Sequence, residues 1–484
     1  MPLSELIVGF TIFLQGALLV VPRASVVRRG VEILALAGLG AAALKLAFSL
    51  GLPSGEHTFA MLDDQAIFRL PRAALIFSSL LLVRMASTTR ELPEGRKPEV
   101  IFLITVLTFV CDLLILSRHG TLSMILLVLS TWTGFFLGGL AYRGRAEGEA
   151  VLKFWVQASV SLTLGFGAIV MISLVAGGAH LDIIAEYMKG QAAYSPRSLL
   201  VVIGLFLPFL MAGGFFPFHF VSIDRDHGLP WTVQTALSVT FQGAIAVAAW
   251  KVGVSVFGQS SREGVSEGMR VLQYCGLIGG FWLALFALSQ VNSKRLFSAF
   301  VGAHWSAVLA AGALPTLLSA TAIVYALSAI FVWSAMLGFV WSRFQEWAGS
   351  EEISAVYGAA KEFRTSGLIL LLALASPLCL PGFPGFPSIL HLLAAVIEQK
   401  SLSFLALEAA LLSLLCLSGI RIGTDLLFRL SPGSTKRAGP SEFFCYGALD
   451  WGVILSVGAA LLTAGFFCHP ILRSLTQSAA TFLR

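Results

Sequence analysis

The stretch PFLMAGGFFPFHF, residues 208–220, is apolar enough to lie in a membrane, yet it carries Pro208, Gly213, Gly214 and Pro217. A second stretch, PLCLPGFPGFP, residues 377–387, carries Pro377, Pro381, Gly382, Pro384, Gly385 and Pro387. An interior proline removes a backbone hydrogen bond and costs a helix about 3 kcal/mol. Unpaired backbone is tolerated at membrane depth only inside protein or along a watery cavity. Two such breaks in matching order, one in each half of a chain, are the pattern of an inverted-repeat transporter fold. They fall at equivalent places in two blocks, 99–256 and 271–428, flanked by an N-terminal region 1–98 and a C-terminal region 429–484.

Composition supports the same reading. The chain has 484 residues, 57% apolar and only 12% charged, and its mean hydropathy is +0.86. Soluble proteins carry about twice that charged share. At about 20 apolar residues per crossing, the sequence predicts about 14 transmembrane helices in an all-α bundle. The opening MPLSELIVGF is read as part of a first span, not a removed signal. The longest polar stretch, 343–365, is expected to form a lateral surface helix. The six cysteines never form a CxxC pair and are read as small buried hydrophobes. The net charge of +6 comes from 32 basic residues scattered over many loops, which favours membrane orientation over nucleic-acid binding. With both termini outside, the inner loops hold Arg23, Arg28, Arg29, Arg90, Arg96, Lys97, Arg143, Arg145, Lys294, Arg295, Lys361, Arg364, Lys436 and Arg437.

Ionisable groups within spans are costly and mark candidate ion paths. Lys153 follows Glu149 by four residues, so the two share a helix face and can pair; Lys153 is a relay candidate or snorkels to the interface. His304 sits mid-span, either as a hydrogen-bonded core residue or as a proton relay, since imidazole titrates nearest neutrality. His219 follows the first break, where loosened backbone can admit water. Asp112, Lys251 and Glu408 are either relay groups or contacts to a neighbouring subunit. The sequence contains no Walker loop, no GxGxxG opening a βαβ unit and no HExxH. An enzyme acting alone is therefore not expected.

Four stretches carry a family resemblance. They are EAVLKF (149–154), FFPFHF (215–220) followed by Gly228 and Pro230, ALSQVNSKRL (287–296) followed by His304, and SPLCLPGFPGF (376–386). The chain resembles the antiporter-like membrane subunits of respiratory complex I, most of all the subunit N family of bacterial NADH:quinone oxidoreductase. The resemblance implies two inverted five-helix repeats, each with a broken helix. It implies proton conduction in a membrane arm, with no cofactor in this chain and with flavin, iron–sulfur clusters and quinone on partner subunits. It implies other membrane and peripheral subunits as partners and a multi-pass location in the bacterial inner membrane. It also implies proton-handling positions. The family's helix-six lysine is Lys153; its helix-five glutamate falls at Val128, and its other lysines fall at Ala212, Gln242 and near Ile389. Lys153, His219 and His304 are then the retained groups, with Gln242 hydrogen-bonding relay water. A membrane-bound hydrogenase, a cation/proton antiporter complex and a non-conducting structural subunit are the alternative readings.

Overall fold

The computed structural model describes residues 3–20, 24–50, 61–62, 64–141, 144–191, 195–258, 267–312, 316–398, 402–429 and 446–482. Arg23, Arg143, Lys436 and Arg437 lie outside the described residues, as does the side chain of Arg28. The described chain is helical. In order it forms α1 (Leu3–Leu19), α2 (Ala24–Phe48), α3 (Arg69–Thr88), α4 (Lys97–Leu116), α5 (Gly120–Leu140), α6 (Arg145–Ala176) and α7 (Leu181–Lys189). Then come α8 (Pro196–Gly213), α9 (His219–His227), α10 (Trp231–Ala236), α11 (Gln242–Phe257), α12 (Glu267–Ser289), α13 (Ser293–Ala311) and α14 (Leu317–Ala348). The last are α15 (Ala359–Glu362), α16 (Arg364–Ala375), α17 (Gly385–Glu398), α18 (Leu402–Leu427), α19 (Ala448–Phe466) and α20 (Cys468–Phe482). Among the described residues, 11 helices are long and apolar enough to cross a membrane. Leu3–Leu19, Arg364–Ala375 and Gly385–Ile397 are shorter apolar helices.

Two five-helix blocks repeat one packing order. In the first, α4 packs on α5, α5 on α6, α6 on α8, and α11 on both α8 and α4. In the second, α12 packs on α13, α13 on α14, α14 on α16 and α17, and α18 on α17 and α12. The third helix of each block is 32 residues long, and the broken helix leans against it. Five crossings per block start the second block on the opposite membrane face, which is what inverts the repeat. The hydropathic core of α14 is wholly buried, so it is apolar on every face rather than along one stripe.

Both breaks are built as their prolines and glycines require. The first follows Gly213, where Gly214 takes a left-handed φ of 64° and its N–H closes the helix on Leu210 and Met211. Side chains of α6 satisfy the backbone there: Ser161 Oγ donates to Pro208 O at 2.8 Å, and Gln157 Nε2 donates to Met211 O. The second runs between α16 and α17, with Cys379 at φ 57° and Gly382 at φ 90°. Helix α19 crosses this break so closely that a Cβ on Gly465 would lie 2.0 Å from Gly382 O.

One expectation is corrected. Residues 343–365 do not form a lateral helix, because α14 continues through Ala348 and the remainder forms short turns and α15. Buried Phe344 and Trp347 hold that extension in the core. A terminal helix that the sequence reading did not give, α20, instead packs along α14, and its Phe482 meets Phe68 edge-on at 5.3 Å.

Candidate functional site

The structure distributes the candidates over several environments. Lys153 and Glu149 form the expected ion pair, 2.9 Å apart, but on the outer face of α6 with the lysine 44% exposed. His219 opens α9 directly after the first break. Its ring is buried against Phe216 and Trp282, and its Nδ1 has no hydrogen-bond partner among the described residues. His304, on α13, bonds through Nδ1 to Phe300 O at 2.8 Å and sits between Phe300 and Trp333. With Ser376, Cys379, Ser388 and Ile389 it borders a cavity of about 50 Å³ at the second break, room for at least one water by volume.

Asp112 and Lys251 have fixed structural partners. Arg72, wholly buried on α3, is held by Asp112 at 2.8 Å, by Asp64 at 2.7 Å and by Glu5. One guanidinium thus ties α1, α3 and α4 to the segment before α3. Lys251 of α11 donates to Ile115 O at 2.8 Å and Leu116 O at 3.0 Å. These are the last carbonyls of α4, where a cation meets the negative end of the helix dipole. Glu408 is fully buried on α18, and neither carboxylate oxygen has a donor among the described residues. Gln242 is buried at the start of α11, opposite Gly302 of α13. Val128 is half-buried, and Ala212 is buried beside the first break.

The structure also assembles a polar site that the sequence reading missed. Asp226, at the end of α9, accepts from Arg225 Nε at 2.6 Å, Ser238 Oγ at 2.8 Å and Ser298 Oγ at 3.0 Å. Gln234 Nε2 donates to Ser298 Oγ at 3.0 Å and to Lys294 O at 2.7 Å. All of these side chains are buried. Ser238 lies in a π turn, Leu237–Phe241, between α10 and α11. The Ser238 carbonyl in this turn accepts from Trp305 Nε1 at 3.1 Å; such bulges cluster at functional sites. Helical spacing held a partial signal, since Gln234 and Ser238, and Lys294 and Ser298, are four residues apart.

The cluster leads to an acidic cavity of about 360 Å³ bordered by Arg90, Glu91, Trp231, Gln345, Glu346 and Glu351. Lys294 touches both, its backbone carbonyl accepting from Gln234 and its Nζ lying 2.8 Å from Glu351. Burial pushes the Glu91 carboxyl up to about 7, although its Oε2 accepts from Trp231 N at 2.6 Å. A hydrogen bond from His227, reinforced by Lys294, holds Glu351 down at about 2. The arrangement is a buried Arg225–Asp226 pair bonded to two hydroxyls and, through Ser298, to an amide, beside a mouth with two acids of very different pKa. No group of three metal-ligating side chains occurs among the described residues.

The family model described as NADH:quinone oxidoreductase/Mrp antiporter, TM matches residues 121–416. NADH-quinone oxidoreductase subunit N 2 of Chloroherpeton thalassium is 24% identical over 323 residues, which are 66% of this chain and 63% of that protein. A chain of respiratory complex I from Thermus thermophilus with bound NADH superposes with a TM-score of 0.79 at 18% identity, covering 99% of each. A chain of the Mrp complex from Dietzia sp. gives 0.79 at 14% identity, covering 100% of this chain and 98% of that one. At these identities the structural matches establish the fold, while the family match spans more than half of the sequence. The chain belongs to the NADH:quinone oxidoreductase/Mrp antiporter transmembrane family.

Proposed function

We propose that the chain is a membrane-arm subunit of a proton-translocating NADH:quinone oxidoreductase, moving protons while partner subunits carry electrons from NADH to quinone. The observation that carries this is the buried Asp226, Ser238, Ser298 and Gln234 cluster packed next to the acidic cavity, with Lys294 accepting from Gln234 at its carbonyl and meeting Glu351 at its Nζ. It lies where the first broken helix meets the second repeat. A proton path needs exchangeable groups in file and a wet mouth; the cluster supplies the first and the cavity the second. His304, beside the cavity at the second break, serves the second block in this reading. The blocks 99–256 and 271–428 then each hold one half of the path, with Lys153 and Glu149 on the face toward a neighbouring subunit. Flavin, iron–sulfur clusters and quinone belong to the partners. The chain sits in a bacterial inner membrane with both termini outside.

The test uses the assembled complex. Lys153→Met and Asp226→Asn are expected to lower protons moved per electron more than they lower electron transfer. Lys153→Arg fails in the same way, because a guanidinium stays protonated. A second reading, a non-conducting spacer, is favoured by the exposure of Lys153 and by Val128, Ala212, Gln242 and Ile389 at the family's charged positions. An unchanged proton ratio in all three variants, with normal assembly, selects it. Identification of co-purifying subunits separates the oxidoreductase from a membrane-bound hydrogenase or a cation/proton antiporter complex.

A further inference from the structure

Helix α16 ends at the second break in a pattern of bonds that glycine normally serves. Cys379 N donates to Ser376 O at 2.9 Å, and Leu380 N donates to Ala375 O at 3.0 Å. This pair of bonds closes a helix around one left-handed residue, usually glycine because it has no Cβ to clash. Here that residue is Cys379, at φ 57°, and among the described residues no other non-glycine has a positive φ. A side chain kept where glycine would relieve the strain points to a use for that side chain.

The Cys379 thiol meets a second one. Cys379 Sγ donates to Pro377 O at 3.6 Å, and Cys416 Sγ of α18 reaches the same oxygen at 4.0 Å. The two thiols also lie in hydrogen-bonding contact with each other. Both are half-buried, and neither is in a disulfide. Cys379 borders the cavity of about 50 Å³ that His304 also borders, while Cys416 lies outside its wall. Phe300 O can only accept, so His304 Nδ1 keeps its hydrogen and Nε2 carries a lone pair. An imidazole in that form can take a thiol proton. The space admits a molecule somewhat larger than water.

We propose that Cys379 and Cys416 are a redox-active dithiol, oxidised by hydrogen peroxide to a disulfide that pins the second break to α18. Cys379 gives its proton to His304, and its sulfur attacks one peroxide oxygen. The S–O bond forms, the O–O bond breaks, and the departing hydroxide takes the proton back from His304 and leaves as water. The Cys416 sulfur then attacks the sulfenic sulfur. The S–S bond forms, the S–O bond breaks, and a second water carries off the Cys416 proton. Two electrons pass from the thiols to the peroxide. Cys379 sits at the break rather than within a helix, so its sulfur can move to bonding distance. The product joins the break to a helix that packs on α12, α13 and α17.

The full chain in phosphatidylcholine bilayers is treated with hydrogen peroxide, then unfolded, alkylated and mapped by peptide mass spectrometry. Wild type is expected to form the Cys379–Cys416 disulfide, reversed by dithiothreitol, while Cys111, Cys275 and Cys468 stay alkylatable. Cys416→Ser is expected to stop at a sulfenic acid on Cys379 that dimedone labels, and Cys379→Ser to leave Cys416 unlabelled. Hydrogen exchange of the amides between Ser376 and Gly385 is expected to slow about tenfold in oxidised wild type, because the cross-link removes open states of the break. The wild-type mapping and exchange stand without either variant. Both thiols still alkylatable after peroxide overturns the proposal. So does separate oxidation of the two without a bond between them, dimedone labelling of Cys416 in Cys379→Ser, or exchange left unchanged by the disulfide.

Discussion

Arg72 shows what one residue does in a low-dielectric interior. Its wholly buried guanidinium pairs at once with Glu5, Asp64 and Asp112. Removing one partner of a buried ion pair costs about 3–5 kcal/mol, because the other charge stays behind. Arg72→Met is therefore expected to destabilise the purified chain by that amount in thermal unfolding, whereas Asp112→Asn costs less because Glu5 and Asp64 still hold the cation. At the acidic cavity, Glu91 and Glu351 give opposite pH dependences. Glu91 is raised from 4.5 to about 7 by burial, so its contribution is full below pH 4.5 and is lost as pH rises toward 7. Glu351 is lowered from 4.5 to about 2, so its contribution is present above pH 4.5 and is lost as pH falls toward 2. Melting temperature against pH is expected to flatten between 4.5 and 7 in Glu91→Gln and between 2 and 4.5 in Glu351→Gln.

Between elements, the decisive contacts are close approaches at helix ends and breaks. A Cβ on Gly385 would lie 1.8 Å from Ser376 O. Backbone does not yield as a flexible side chain does, and overpacking costs about 1–3 kcal/mol. Gly385→Ala and Gly465→Ala are expected to reduce folded, membrane-inserted protein measured by size-exclusion chromatography. Gly452→Ala is the control on α19, since a Cβ there meets nothing within 4 Å. Lys251 acts at the same scale. As the cap of α4 it stabilises that helix end, so Lys251→Met is expected to cost about 2 kcal/mol. Protons moved per electron in the assembled complex should stay unchanged; a fall in that ratio would return Lys251 to the relay candidates.

At the scale of the whole molecule, the proposed reading makes function a property of assembly. The chain supplies a scaffold and a file of polar groups, and the proposed reading leaves electron transfer to other subunits. Purified alone, it is expected to oxidise no NADH and to show no flavin or haem absorbance. A visible absorbance band in a clean preparation would defeat that expectation. The two blocks meet at Asp226, which hangs from the first broken helix and takes a hydroxyl from each block. A change at this junction therefore touches both halves of the proposed path.

The sequence by itself determined the all-helical membrane fold, the positions of the two breaks and the Glu149–Lys153 pair. Each is a local property: hydropathy counts residues along one helix, proline and glycine act on their own turn, and an i,i+4 pair needs no other element. Only the tertiary structure decided which faces of those helices meet. It turned Lys153 outward, gave Lys251 to the end of α4 and Asp112 to Arg72, and extended α14 to Ala348. It also brought Asp226, Ser238 and Ser298 together. The contacts responsible join residues far apart in the chain, such as Lys251 with Ile115 and Gln234 with Lys294. Hydropathy carries no information about such pairings, because a buried polar residue reads the same whether its partner is a helix end, an ion pair or a proton path.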